Sequence, residues 1–305
     1  VRFGFGRTSF FNVFHREDIS INKAYKKAWC LYLAQTKLKR NLFLFLVLLA
    51  LFSVLLQENL QERARCSRLK SNTVMSDGFR QMQLSEPMLK MLEGLPVEKR
   101  GTAAGIYYLE KKDSDKKNLK KAQNMWAKRP AWGEYLDICN AIWNDVTYFP
   151  VPVSSKHESY SVSFVDSWMG ERTYGGKRGH EGTDIMASQN TPGLYPVVSM
   201  TDGTVVSKGW LEKGGWRLGI SAPSGGYFYY AHLDSYADIE EGDTVRAGEV
   251  IGFMGNSGYG PEGTTGVFAT HLHVGIYIYP QGEEISVNPY WVLRLLEEKK
   301  LSCSF

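Results

Sequence analysis

Across 305 residues the sequence has no Cys-x-x-Cys pair, and Cys30, Cys66, Cys139 and Cys303 follow no repeating interval. That spacing argues against a zinc knuckle built from thiolates and offers no disulfide framework, so free thiols are expected. A strong net charge is lacking too: 36 Lys and Arg against 32 Asp and Glu leave +4. A nucleic-acid binder carries a denser basic patch, so nucleic acid is not expected as a partner. The mild excess suits anionic envelope polymers or lipid headgroups instead. No apolar run reaches the ~20 residues that cross a full hydrocarbon core, since LFLFLVLLALFSVLL (Leu42 to Leu56) is only about 15 long. No small-x-small cleavage site follows that run, and Ala64-Arg65 before Cys66 does not fit a lipoprotein anchor.

The run itself still marks the clearest break in composition. It is apolar on every side, which does not fit an amphipathic surface helix, and Asn41 and Gln57 can extend it into the interface. It reads as a transmembrane signal anchor over 42–57, with 1–41 as a cytoplasmic N-terminal segment. A cleaved signal and a buried core helix are the alternatives. Lys26, Lys27, Lys37, Lys39 and Arg40 precede it, while Arg63, Arg65, Arg68 and Lys70 follow. The positive-inside rule therefore gives only a slight preference for a cytoplasmic N-terminus, and the orientation leans on where the expected substrate lies.

Residues 58–150 read as an α-helical stalk or cap. In SEPMLKMLEGL, Ser85 is a plausible N-cap, Met88, Leu89, Met91 and Leu92 recur at helical spacing, and Gly94 stands near the end. Two further helices follow over 117–146, divided at Pro130, with Tyr135, Ile138, Cys139, Ile142 and Trp143 forming an apolar packing stripe. The Lys-rich DSDKKNLKK at 113–121 reads as a solvated face or loop. Nothing in this region looks catalytic.

After Phe149-Pro150-Val151-Pro152 the texture changes to glycine and β-formers. PVVSM, DGTVVSKGW, RLGISAP, GYFYYAHL, GEVIGFMG and HLHVGIYIY are short strand-like runs separated by turn residues. The expected fold class is mainly β: an antiparallel, sandwich-like catalytic domain with a β-hairpin motif over 155–290, preceded by the transmembrane helix and the small α-helical region. A helical tail is expected over 291–305.

Four of the six histidines fall in the β region. His180 precedes Asp184 by four residues in GHEGTD, where Gly182 and TDIMA suggest a loop entering a strand. His232 ends the strand-like YFYYAH. His271 and His273 lie two apart in HLH, so an extended strand turns both imidazoles to one side. A lone strand histidine is usually structural. The conjunction differs, because a catalytic zinc site needs three imidazole or carboxylate ligands and an open fourth position for water. His15 and His157 have no partners in sequence and are read as structural. Tyr227, Phe228, Tyr229 and Tyr230 alternate faces, half for a core and half for a groove.

HEGTD at 180–184, YAHL before it reaches HLH, and HLH at 271–273 resemble the lysostaphin and LytM-type peptidoglycan endopeptidases over about Asp166 to Pro289. The resemblance implies Zn2+ held by His180, Asp184 and His273. His232 and His271 would then be catalytic: they would orient and deprotonate the water and stabilise the oxyanion. It also implies a peptidoglycan substrate, in stem or cross-bridge; with the anchor read at 42–57, this gives an expected location on the cell membrane with the catalytic domain outside. Two departures stand out: YGPEGTTGVFAT separates GNSG (255–258) from HLH, and VGIY follows HLH where Phe-Glu is commoner. The first lies next to the expected cleft and bears on substrate preference more than on chemistry.

Two rivals remain at this stage. One is a catalytically inactive wall-binding or scaffold module of the same fold. The other is a carrier domain, since GDTVRAGEVIGFMG (242–255) resembles the hairpin of biotinyl, lipoyl and phosphocarrier domains. That segment lacks the lysine that biotinyl and lipoyl domains modify, and a phosphocarrier has no need of His180-x3-Asp184.

Overall fold

The computed structural model describes residues 11–305 apart from 114, 115 and 175, with the side chains of 11–21 and 116 also left aside. The first ten residues of the N-terminal segment, the His15 side chain and Ser114-Asp115 of the Lys-rich stretch lie outside the described residues. The chain forms two compact units, one ending at Ala64 and one beginning at Arg65.

In the first unit the apolar run is part of one long helix, α1 (Phe11–Cys66). Within it Asn22–Cys66 is long and apolar enough to cross a membrane, and none of its most apolar window is buried by protein. Phe43 and Leu48 are each 65% exposed, an arrangement that water would not favour. The hydroxyl of Ser53 is satisfied within the helix, donating to the Leu49 carbonyl at 2.8 Å.

The second unit begins with helices: α2 (Asp77–Arg80), α3 (Glu86–Glu93), α4 (Val97–Glu110), α5 (Lys116–Trp126) and α6 (Trp132–Trp143). Ser85 caps α3 as expected, accepting from the Met88 amide at 3.2 Å, and Gly94 closes it. The Lys-rich stretch contributes to α5, where Lys117, Lys120 and Lys121 face solvent while Ala122 and Trp126 are buried. Helix α4 has no amphipathic signature in sequence, because Gly101, Ala103, Ala104 and Gly105 replace larger apolar residues. Its small residues serve close packing on α6. A Cβ at Gly101 would stand 2.7 Å from the Asn140 Cα, a backbone atom that cannot yield. Gly101→Ala should therefore destabilise the fold by about 1–3 kcal/mol, read as a lower urea midpoint.

The strands follow: β1 (Val153–Ser154), β2 (Val162–Phe164), β3 (Glu171–Arg172), β4 (Arg178–Gly179), β5 (Thr183–Ala187), β6 (Pro196–Val198) and β7 (Gly203–Leu211). Then come β8 (Gly215–Ser221), β9 (Tyr227–Tyr236), β10 (Thr244–Val245), β11 (Val250–Met254), β12 (His271–Ile278) and β13 (Ile285–Val287). Ten of the described strands form one antiparallel sheet with the path β10-β7-β8-β9-β12-β5-β2; β11 joins β9 to β6, and β13 flanks β12. The tail is helical only as α7 (Tyr290–Leu296). It then extends into β14 (Ser302–Cys303), which pairs in parallel with β1.

Alternation sorts the central strands into two faces. Leu218, Ile220, Phe228, Tyr230, Leu272, Val274 and Ile276 are fully buried. They belong to one apolar cluster that also takes in Trp126, Ile142 and Trp143 of the helical region and Leu293 of α7. The opposite face carries Asp184, Arg217, Tyr229 and His273 and is the floor of a cleft. All four cysteines are free thiols, and burial pushes the Cys139 thiol well above its ordinary pKa.

Candidate metal centre

Strand register brings the site together. His273 on β12 lies directly opposite Asp184 on β5, and on its other side opposite Ala231 on β9. His180 enters from the β3–β4 ribbon just before β5. The nearest atoms are His180 Nε2, Asp184 Oδ1 and His273 Nδ1, at 3.0 Å between the imidazoles, 3.0 Å from His273 to Asp184 and 3.1 Å from His180 to Asp184. Ligand atoms at 2.0–2.2 Å from a tetrahedral zinc stand about 3.3 Å apart, so the tripod fits such an ion. The donor set of two imidazoles and a carboxylate fits it equally.

Each group is held from behind. Nδ1 of His180 lies 3.2 Å from the Ser167 carbonyl and 3.1 Å from its hydroxyl, which directs Nε2 forward. Gly182 leaves room for the His273 ring: a Cβ there would stand 2.5 Å from its Nε2. Arg172 on β3 donates to Oδ2 of Asp184 at 2.6 Å, so Oδ1 alone is turned to the tripod. Burial opposes the charge on Asp184, but hydrogen bonds from His180 and His273 outweigh it and hold the carboxyl far below the usual carboxylate range.

His232 and His271 stand beside the tripod, their rings 4.7 Å apart. His271 Nε2 is 3.8 Å from Asp184 Oδ1. Its Nδ1 donates to the Ala269 carbonyl at 2.7 Å, and His232 Nδ1 donates to the Ser257 carbonyl at 2.7 Å. A carbonyl can only accept, so both rings carry their proton on Nδ1 and leave Nε2 as the basic nitrogen. Burial lowers the pKa of both, His232 the more, and keeps them neutral at pH 7.

His232 reaches the cleft by a backbone irregularity. Strict alternation along β9 would send it to the core with Phe228 and Tyr230. Its φ of 61° interrupts the alternation next to a register shift and turns the ring towards His271. The segment between GNSG and HLH supplies Phe268, 4.6 Å from the His232 ring, and begins at Tyr259, which stacks on Tyr174 at 4.3 Å. His157 is exposed against Tyr160, outside the cluster. The four histidines and Asp184 singled out in sequence thus meet in one place. Arg172 and Ser167 carried no sequence signal, and Gly182 only that of a loop, since their roles at the site depend on contacts that no local pattern encodes.

The four histidines, Asp184 and Arg172 line a cleft of about 330 Å³ with Tyr229, Tyr277 and Arg217. Fold and tripod together define the class, that of metallopeptidase-like β domains behind a helical region. The model of peptidase family M23 matches residues 178–289, and that of the LytM N-terminal domain matches 64–145. A crystal structure of a Ruminococcus gnavus protein, provisionally named a glycyl-glycine endopeptidase lytM, is 52% identical with a TM-score of 0.74, covering 79% of this chain and 98% of its own. The chain belongs to peptidase family M23, in its LytM-type branch. The L-Ala–D-Glu endopeptidase of Bacillus subtilis is 43% identical over 150 residues, 49% of this chain and 43% of that protein. The glycyl-glycine endopeptidase ALE-1 of Staphylococcus capitis is 33% identical over 96 residues, 31% of this chain and 23% of that protein. The matches thus span less than half the length of these two relatives.

Proposed function

We propose that the chain is a membrane-anchored zinc metalloendopeptidase that hydrolyses peptide bonds of bacterial peptidoglycan. The observation that carries this reading is the convergence of His180 Nε2, Asp184 Oδ1 and His273 Nδ1 beside two neutral imidazoles. Zinc held by the three would supply a Lewis acid for the scissile carbonyl and lower the pKa of a water molecule. His271 is the base that receives the proton of the attacking water on Nε2, and its Nδ1 bond to Ala269 fixes the orientation for that transfer. His232, held by Ser257, stabilises the oxyanion and takes part in returning the proton to the leaving amine. Asp184 stays ionised, and Arg172 keeps its second oxygen occupied. Occupation of all five positions favours an enzyme over an inactive module of the same fold.

The membrane part of the reading rests on the apolar, unburied Asn22–Cys66 stretch of α1, and the wall substrate puts the second unit outside the membrane. Digestion of purified wall by the full chain in detergent, with the new amino termini identified, tests the activity and names the bond. Stoichiometric zinc and new amino termini are expected; a metal-free wild type that releases none would end the reading. Arg172→Ala should weaken zinc binding by about 10–100-fold, measured by competition with a chromophoric chelator, because outer partners of ligating carboxylates have that effect.

A further inference from the structure

Three cationic side chains other than the one bonded to Asp184 line the cleft: Arg178, Lys213 and Arg217. Lys213 is exposed at the rim. Arg178 and Arg217 are part-buried, and each has a buried nitrogen, Nε and Nη1 respectively, with no hydrogen-bond partner. Among the described residues neither guanidinium has an ion pair. A buried donor left unbonded is unfavourable, and a guanidinium is weakly satisfied by water compared with a planar carboxylate. An unpaired arginine beside a substrate cleft is therefore a site waiting for an anion.

Arg217 is the better placed. It stands on β8, on the same face as Tyr229 of β9 and His273 of β12, so two strand spacings separate it from the tripod, about 10 Å. An extended peptide advances about 3.5 Å per residue. With the length of an arginine side chain added, a group one or two residues from the scissile bond comes within reach. Between them lies Ala231, fully buried, with Tyr229 on the same face lining the cleft. Two acids, Glu181 and Glu284, line the same cleft. Glu284 is engaged by the Tyr279 hydroxyl at 2.8 Å, and Glu181 lies 3.9 Å from Arg80.

We infer that Arg217 is a specificity-determining residue that binds a free carboxylate of the wall peptide next to the scissile bond, so that the enzyme selects acidic stem peptides over neutral glycine bridges. This deepens the endopeptidase reading and rests on it. A D-glutamyl residue joined to the next residue through its side chain leaves its α-carboxylate free, and a planar guanidinium recognises that group with two parallel hydrogen bonds. Amidation removes the charge and replaces one acceptor oxygen with a donor facing the arginine.

The test uses the zinc-loaded full chain in detergent and two synthetic peptides that differ only in the D-glutamyl α-carboxylate or α-carboxamide. Wild type should prefer the acid in kcat/KM on the order of 10²-fold. Arg217→Gln should bring that ratio to about one, and Arg217→Lys should restore part of it; zinc content equal to wild type reports an intact tripod in both. Titration calorimetry of the same peptides reads the ratio without turnover. Preferential binding of the acid without cleavage upholds the anchor and ends the endopeptidase reading. Cleavage with no preference in wild type, or a full preference retained in Arg217→Gln, overturns the anchor and leaves the endopeptidase reading standing. Equal binding of the two peptides without cleavage overturns both.

Discussion

Alanine at His180 should abolish stoichiometric zinc and reduce wall-peptide hydrolysis to background. Of three converging donors, two would remain, one imidazole and one carboxylate, which is too few for a catalytic zinc. The loss reaches further, because the His180 ring is also 3.1 Å from Asp184 and helps to keep it ionised. His180 is only 3% exposed, so its removal opens a small void near the sheet edge and a modest fall in melting temperature is expected beside the loss of metal. Metal analysis of the purified variant, with circular dichroism to show that the sheet persists, checks this. Wild-type zinc content in His180→Ala would falsify the tripod.

Alanine at His271 should give the complementary result. Its Nε2 lies 3.8 Å from Asp184 Oδ1, close to the tripod yet outside it, and its Nδ1 is committed to Ala269. The variant should keep about one zinc per chain while kcat falls by roughly 10²–10⁴-fold, the usual contribution of a positioned acid-base group. KM should move far less, since the imidazole acts on a proton in transit and not on the bound peptide. A variant that retains full kcat, or that loses metal as His180→Ala does, would show that the roles are divided differently. Together the two substitutions separate holding the ion from moving the proton.

Much of this is legible in the sequence. The parity of HLH turned two imidazoles to one side, and β12 carries them so, with Leu272 buried between them. Gly182 and TDIMA announced a loop entering a strand, which is the approach to β5. Ser85 announced the start of α3. Helix α4 fell inside the stretch read as helical (58–150) but was not delimited, because a face of glycine and alanine has no apolar periodicity; its partner α6 supplies the bulk. The C-terminal strand β14 was missed for a related reason: a two-residue strand has too few residues for any period, and exists only because β1 lies beside it.

The division follows from the range of the forces. Residue type, turn chemistry and strand parity are local, and they determined which donors exist, that the texture changes near residue 150, and that Tyr227 and Tyr229 part company from Phe228 and Tyr230. Which pair would face the cleft was decided by the sheet, as its other face packs into one core with the helices. The positive φ of His232, the opposition of Asp184 and His273 across 89 residues, and the reach of Arg172 to Oδ2 were likewise tertiary decisions. Each depends on strand pairings distant in sequence, where a one-residue slip would turn every side chain to the opposite face.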